Sequence, residues 1–103
     1  MGALSCVYTR SVAFYPDFTP DPALCHRWPY GRQPYGRVTM GGAAVDGKAD
    51  AWQDDRILFR WAEGSTRPQL WMDAADFTPI PRAESSWTES SDDVDWYHQQ
   101  ENT

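Results

Sequence analysis

Six consecutive residues, Arg56-Ile57-Leu58-Phe59-Arg60-Trp61, constrain this chain more than any others. Ile57, Phe59 and Trp61 alternate with Leu58 and Arg60, the two-residue period of a half-buried strand. Around this centre, residues 37–81 supply further strand signals. Val38-Thr39-Met40 and residues 48–53 flank Asp46-Gly47, a short hairpin signal because glycine tolerates the positive φ of such a turn. Asp54-Asp55 reads as the next hairpin turn, and Gly41-Gly42 as a bulge or sharp bend. Glu63-Gly64-Ser65-Thr66-Arg67-Pro68 reads as a loop, Gln69–Asp73 as another strand and Thr78-Pro79-Ile80 as a last short one. Five short strands in this span predict an all-β protein built on a small five-stranded barrel.

The flanks divide the chain into three parts. Residues 1–36 form an N-terminal arm, 37–82 the barrel and 83–103 an acidic tail. In the arm, residues 4–15 have strand composition. Pro16-Asp17-Phe18-Thr19-Pro20-Asp21-Pro22 is an extended or turning connection, since proline removes a donor and restricts its predecessor. Asp21 then caps one helical turn that Pro22 opens. The tail is polar, with isolated Trp87, Val94, Trp96 and Tyr97, and its composition predicts disorder. A turn or two of helix beginning at Ser91 is the local alternative.

Charge is unevenly placed. The net charge is −6, yet residues 1–82 carry nine basic and nine acidic side chains. Glu84, Glu89, Asp92, Asp93, Asp95 and Glu101 therefore account for all of the excess. Such a chain is poorly suited to bulk binding of DNA or anionic lipid. No apolar run is long enough to span a membrane, and Met1 to Tyr15 lacks the features of a secretory signal, so the expectation is a cytoplasmic protein.

Reactive chemistry is sparse. Cys6, Cys25, His26 and His98 show no metal-ligand spacing, and neighbouring Cys25 and His26 lack an orienting partner for nucleophilic catalysis. The expectation is a non-enzyme without cofactor or metal. Binding signals are stronger. Pro-Tyr-Gly-Arg occurs twice, at residues 29–32 and 34–37, and interleaves Trp28, Tyr30 and Tyr35 with Arg27, Arg32 and Arg37. One reading makes these two turns over the barrel mouth. The other makes Trp28, Tyr30, Arg32, Tyr35 and Arg37 an exposed aromatic–arginine surface, suited to a protein hot spot or to stacked bases. In the tail, Asp92, Asp93 and Asp95 beside Trp96 and Tyr97 suit a segment that docks on a partner, its rings entering a groove and its carboxylates facing a basic rim.

Val38-Thr39-Met40-Gly41-Gly42, Ile57-Leu58-Phe59-Arg60-Trp61 and residues 70–80, with a helical turn at Ala74-Ala75-Asp76-Phe77, together resemble the Tudor-like and Src-homology-3-like small barrels. That resemblance implies partners ranging from peptides and methylated side chains to nucleic acids, and Trp52, Trp61, Trp71 and Phe77 are the rings available for a methyl-lysine cage. Arginine outnumbers lysine eight to one, which resembles actinobacterial and actinobacteriophage proteins. The expected function is a protein–protein interaction module, of the type of a phage-encoded modulator or inhibitor of a host protein, including a DNA-mimic mode. Its partner would carry a basic or grooved surface. The alternative is a nucleic-acid-binding barrel whose arginine–aromatic face is restrained by the acidic tail.

Overall fold

The computed structural model describes residues 14–101. The strand expected over residues 4–15 lies outside this range apart from Phe14 and Tyr15. The fold is mostly β: six antiparallel strands in one sheet, followed by one short helix. The strands are β1 (His26–Arg27), β2 (Tyr35–Met40), β3 (Ala43–Gln53), β4 (Arg56–Trp61), β5 (Gln69–Asp73) and β6 (Thr78–Pro79), and the helix is α1 (Val94–Glu101).

The strand order is β5-β4-β3-β2-β6, with β1 added to the far half of β3 through His26 opposite Trp52 and Arg27 opposite Ala51. β5 and β6 end this path and are not paired, so the sheet is open rather than a closed five-stranded barrel. A 3₁₀ turn, Ala74–Asp76, leads into β6. Met72 at the β5 edge is bridged by Phe14, and the Tyr15 amide donates to the Trp71 carbonyl at 2.9 Å.

The β2–β3 turn is one correction to the sequence reading. It falls at Gly41-Gly42, both with positive φ (55° and 84°), and not at Asp46-Gly47. Two successive left-handed residues suit a tight hairpin, and glycine alone adopts them without strain. Gly47 instead lies mid-strand, opposite Gly36 on one side and Trp61 on the other. A Cβ there would overlap the Arg60 carbonyl and the Phe59 ring, so glycine is required by close approach. The irregularity in β3 falls between Ala49 and Ala51. The Asp54-Asp55 turn is where the sequence puts it, with Asp54 at φ 54°.

Both faces of the central strands are covered. On one, Val38, Ala49, Ile57, Phe59 and Met72 form the main core, flanked by Trp28, Trp52, Trp61 and Phe77. Each of the larger buried side chains, Ala49 excepted, contributes about 1.5–3 kcal/mol. On the other, Ala51, Leu58 and Trp71 are covered by Tyr15, Phe18 and Cys25. The proline-rich connection therefore serves as a lid over the second face. Asp21 caps its single turn as expected, its carboxylate accepting from the Ala23 amide at 2.9 Å.

The tail departs from the disorder that its composition suggests. Residues 83–100 lie against the sheet, with Asp92 and Tyr97 buried. Asp93, not Ser91, caps α1: its carboxylate accepts from the Trp96 amide at 3.2 Å. A helix this short is marginal alone in water, so its anchorage is tertiary.

Candidate functional site

Cross-strand register creates a polar row that the sheet alone does not cover. Tyr35 on β2 stands opposite Lys48 on β3, Lys48 opposite Arg60 on β4, and Arg60 opposite Gln69 on β5. Lys48 is 0 % exposed, which is tolerable only if its charge is met. The C-terminal segment meets it. Lys48 Nζ pairs with Asp92 Oδ1 at 2.5 Å and Glu89 Oε1 at 3.1 Å, and lies 4.8 Å from the Tyr35 ring centre. Asp92 also accepts from the Tyr35 hydroxyl and from Arg82 Nε at 2.8 Å. Beside this group, Arg60 binds Asp50 through Nε at 2.7 Å and Nη2 at 3.0 Å, and also binds Glu89. Gln69 donates to Asp50 at 2.7 Å.

Electrostatics follow from this packing. Burial would push the Asp92 carboxyl up, but hydrogen bonds from Lys48, Tyr35 and Arg82 outweigh it and hold it below the usual range. Glu89 behaves alike, burial being outweighed by Arg60 and Lys48. Burial, reinforced by the Asp92 carboxylate, raises the hydroxyls of Tyr35 and Tyr97. Every buried side-chain polar atom among the described residues has a partner.

A second clasp lies along the same strand. Arg37 Nε binds Asp46 at 2.6 Å, Asp46 accepts from the Ser86 amide at 2.8 Å, and the Trp87 indole donates to the Asp46 carbonyl at 2.6 Å. Hydrogen bonding to Arg37 holds Asp46 below the usual carboxylate range.

The structure therefore joins the two groups of sequence-predicted site residues to each other. Arg32 binds Asp93 at 2.9 Å and lies over Trp96, while Tyr35 meets Asp92 and the edge of the Tyr97 ring. Tyr35, Asp92 and Tyr97 are covered by the chain itself, so their side chains are not on the surface. Arg37 is committed to Asp46. Trp96 is half-buried and Asp95 is exposed. The repeated Pro-Tyr-Gly-Arg takes two forms. In the first copy Gly31 turns the chain at φ 81° and leaves Tyr30 80 % exposed; in the second Gly36 lies in β2 and Tyr35 is 2 % exposed. Of the rings considered for a cage, Trp71 packs in one core cluster, and Trp52, Trp61 and Phe77 flank the other.

What remains open is the first copy of the motif and its surroundings. Trp28 packs on Trp52 with ring centres 4.2 Å apart, and His26 stacks on the same indole at 5.1 Å. A cavity of about 380 Å³ is lined by Arg27, Trp28, Tyr30, Gln33, Asp50, Arg60 and Glu89. Its floor is the Asp50–Arg60–Glu89 cluster. Arg27 on its rim is exposed and has no carboxylate partner among the described residues. Sequence reasoning named Trp28 and Tyr30 here but not Gln33, Asp50, Arg60 or Glu89. Among the described residues, no three His, Cys, Asp or Glu side chains group as metal ligands, and no helix is long and apolar enough to cross a membrane.

A small open antiparallel sheet, clasped by its own acidic segment and leaving one aromatic–arginine face uncovered, is the class of object that these features define. Comparison of the chain with known protein families, curated proteins and solved structures finds no match.

Proposed function

We propose that this protein is a non-enzymatic interaction module that binds another protein through the face formed by Arg27, Trp28, Tyr30 and Trp52. The fold we assign to it is an incompletely closed small barrel of the Src-homology-3-like or Tudor-like type. The order β5-β4-β3-β2-β6 and the 3₁₀ turn before β6 support that assignment.

The observation that carries the functional reading is Tyr30. A large ring 80 % exposed, beside an unpaired arginine and a packed indole pair, has the composition of a hot spot. The other basic groups favour a protein over a polyanion. Arg32, Arg37, Lys48, Arg60 and Arg82 each hold a carboxylate within the chain, which leaves few cations for a phosphate backbone. Asp92 and Asp93 are likewise engaged internally, which weakens the DNA-mimic version. Exposed carboxylates at Asp17, Asp54, Asp55 and Asp95 favour a partner with a basic surface.

The test is a nuclease-treated pull-down from lysate with the full chain, beside Tyr30→Ala and Arg27→Ala. A protein held by the wild type and lost by both variants, with their melting temperatures unchanged, supports the reading. The same protein on all three baits refutes it. One observation favours the nucleic-acid alternative: Asp93 and Asp92 cover Arg32 and Tyr35, as a restraining segment would. On that reading Asp93→Ala, which frees Arg32 without touching Lys48, raises affinity for a single-stranded oligonucleotide at low salt; unchanged affinity removes it.

A further inference from the structure

The cavity beneath Tyr30 has a more specific chemistry than a general contact surface. Gln33 is 9 % exposed, and its Oε1 accepts from the Gly31 amide at 3.0 Å. Its Nε2 has no partner among the described residues. Since no buried side-chain polar atom among them is left unpaired, Nε2 reaches solvent, and the cavity is the opening that Gln33 lines. The site thus holds a fixed, unused donor.

Charge narrows the guest further. Arg27 and Arg60 balance Asp50 and Glu89 around the lining, so neither a compact cation nor a compact anion gains by entering fully. The Arg60 guanidinium is already spread over two carboxylates. At the rim the balance changes, because Arg27 alone is unpaired there. The guest that fits is therefore uncharged inside and anionic at the mouth. The walls add a shape: Trp28 is held against Trp52, whereas exposed Tyr30 is free to close over a flat surface.

We propose that this cavity binds a nucleotide, with its planar base between Trp28 and Tyr30, a base carbonyl or ring nitrogen accepting from Gln33 Nε2, and its phosphate on Arg27. Ring stacking tolerates any base, and one guanidinium suffices for one phosphate. About 380 Å³ falls within the range of small-molecule sites. The proposal goes beyond the protein-partner reading and does not rest on it, because it needs no second macromolecule. The nucleotide is either free or the unpaired end of a single strand.

The experiment is titration of the ¹⁵N-labelled full chain with the four nucleoside 5′-monophosphates, a single-stranded tetranucleotide, ribose 5-phosphate and N-acetylglutaminamide. The expected result is a saturable shift of the Gln33 side-chain amide and the Trp28 indole, half-complete below about 1 mM. Arg27→Ala and Tyr30→Ala, both exposed positions, each weaken it at least about tenfold. A response to the monophosphates identifies a free nucleotide, and a response to the tetranucleotide alone identifies a strand end; either supports the proposal. Equal response to ribose 5-phosphate reduces the site to an anion contact, and equal response to N-acetylglutaminamide assigns it to a peptide amide. Either of those, or no saturable shift with any probe, overturns it.

Discussion

The buried pair between Lys48 and Asp92 gives the sharpest test of how the C-terminal segment is held. Replacing Asp92 by Asn leaves Lys48, with no solvent contact, paired to Glu89 alone at 3.1 Å, and takes from Arg82 its carboxylate. Breaking a buried pair from one side costs about 3–5 kcal/mol, because the remaining charge stays desolvated. Lys48→Met falls at the lower end, since Tyr35 and Arg82 still donate to Asp92. At about 4–8 °C per kcal/mol for a domain near this size, 3 kcal/mol lowers the melting temperature by roughly 12–24 °C. The double variant Lys48→Met/Asp92→Asn costs less than the sum of the singles by about 1–3 kcal/mol, the coupling of groups in contact. Urea unfolding at pH 7, followed by tryptophan fluorescence, measures all three. Because the pair is buried, 1 M NaCl leaves these differences in place, although the Debye length is then only about 3 Å. Either single variant costing under about 1 kcal/mol, the value of an exposed pair, refutes the reasoning. Strict additivity refutes it equally.

Three further outcomes follow from the geometry. Gly47→Ala forces a methyl group against the Arg60 carbonyl and costs at least about 1–3 kcal/mol, whereas Gly42→Ala, with open space around it, loses only about 1 kcal/mol to its positive φ; thermal unfolding separates the two. Carboxyls held low at Asp92, Glu89 and Asp46 contribute stability that is present above the unfolded values near pH 4 and is lost as pH falls through the folded ones. The raised hydroxyls of Tyr35 and Tyr97 contribute stability that is full below about pH 10 and declines above it, so these five groups leave the melting temperature unchanged from roughly pH 5 to 9. A melting temperature that holds steady from about pH 5 down to pH 2 contradicts this assignment. Tyr30→Ala, removing an exposed ring, changes the unfolding free energy by less than about 0.5 kcal/mol in urea titration; a larger loss means that the ring is part of the core.

How far this was legible in the sequence depends on which residues carried the signal. β4 is read at its observed bounds, because Ile57, Phe59 and Trp61 alternate with Leu58 and Arg60 without a breaker. The 3₁₀ turn at Ala74–Asp76 and the Asp54-Asp55 turn are equally visible. β3 is misread because Asp46-Gly47 looks like a turn, when Gly41-Gly42 serves equally well on sequence grounds. The alternation that resolves it runs across the supposed turn: Val45, Gly47 and Ala49 alternate with Asp46, Lys48 and Asp50. Breaking the strand there also hid the full charged row, since it cut Asp46 off from the face that Lys48 and Asp50 share.

The tail is the deeper lesson. Residues 83–103 have the composition of a disordered segment, and composition cannot see Lys48, whose counter-charges among the described residues, Asp92 and Glu89, lie 44 and 41 residues away. The site suffered similarly. Tyr30 and Tyr35 lie in the same tetrapeptide motif, and the ring that is buried is the one in β2, opposite Lys48 and under the C-terminal segment. Gln33 carried no signal, since an isolated glutamine becomes informative only when one end of its amide is tied and the other is not.

The acidic segment packs as part of the fold, which leaves the Arg27–Trp28–Tyr30 face uncovered, the surface proposed above for recognition. Amide hydrogen exchange on the intact chain, resolved by residue at neutral pH, tests this packing most directly. The amides of Ser86, Glu89, Asp93 and Tyr97 donate respectively to Asp46, the Tyr35 hydroxyl, the Gly31 carbonyl and the Asp93 carbonyl. Protection of these four close to that of β3 and β4 is the predicted result. Exchange at free-chain rates, with the strands still protected, would contradict the account and return the segment to a tail.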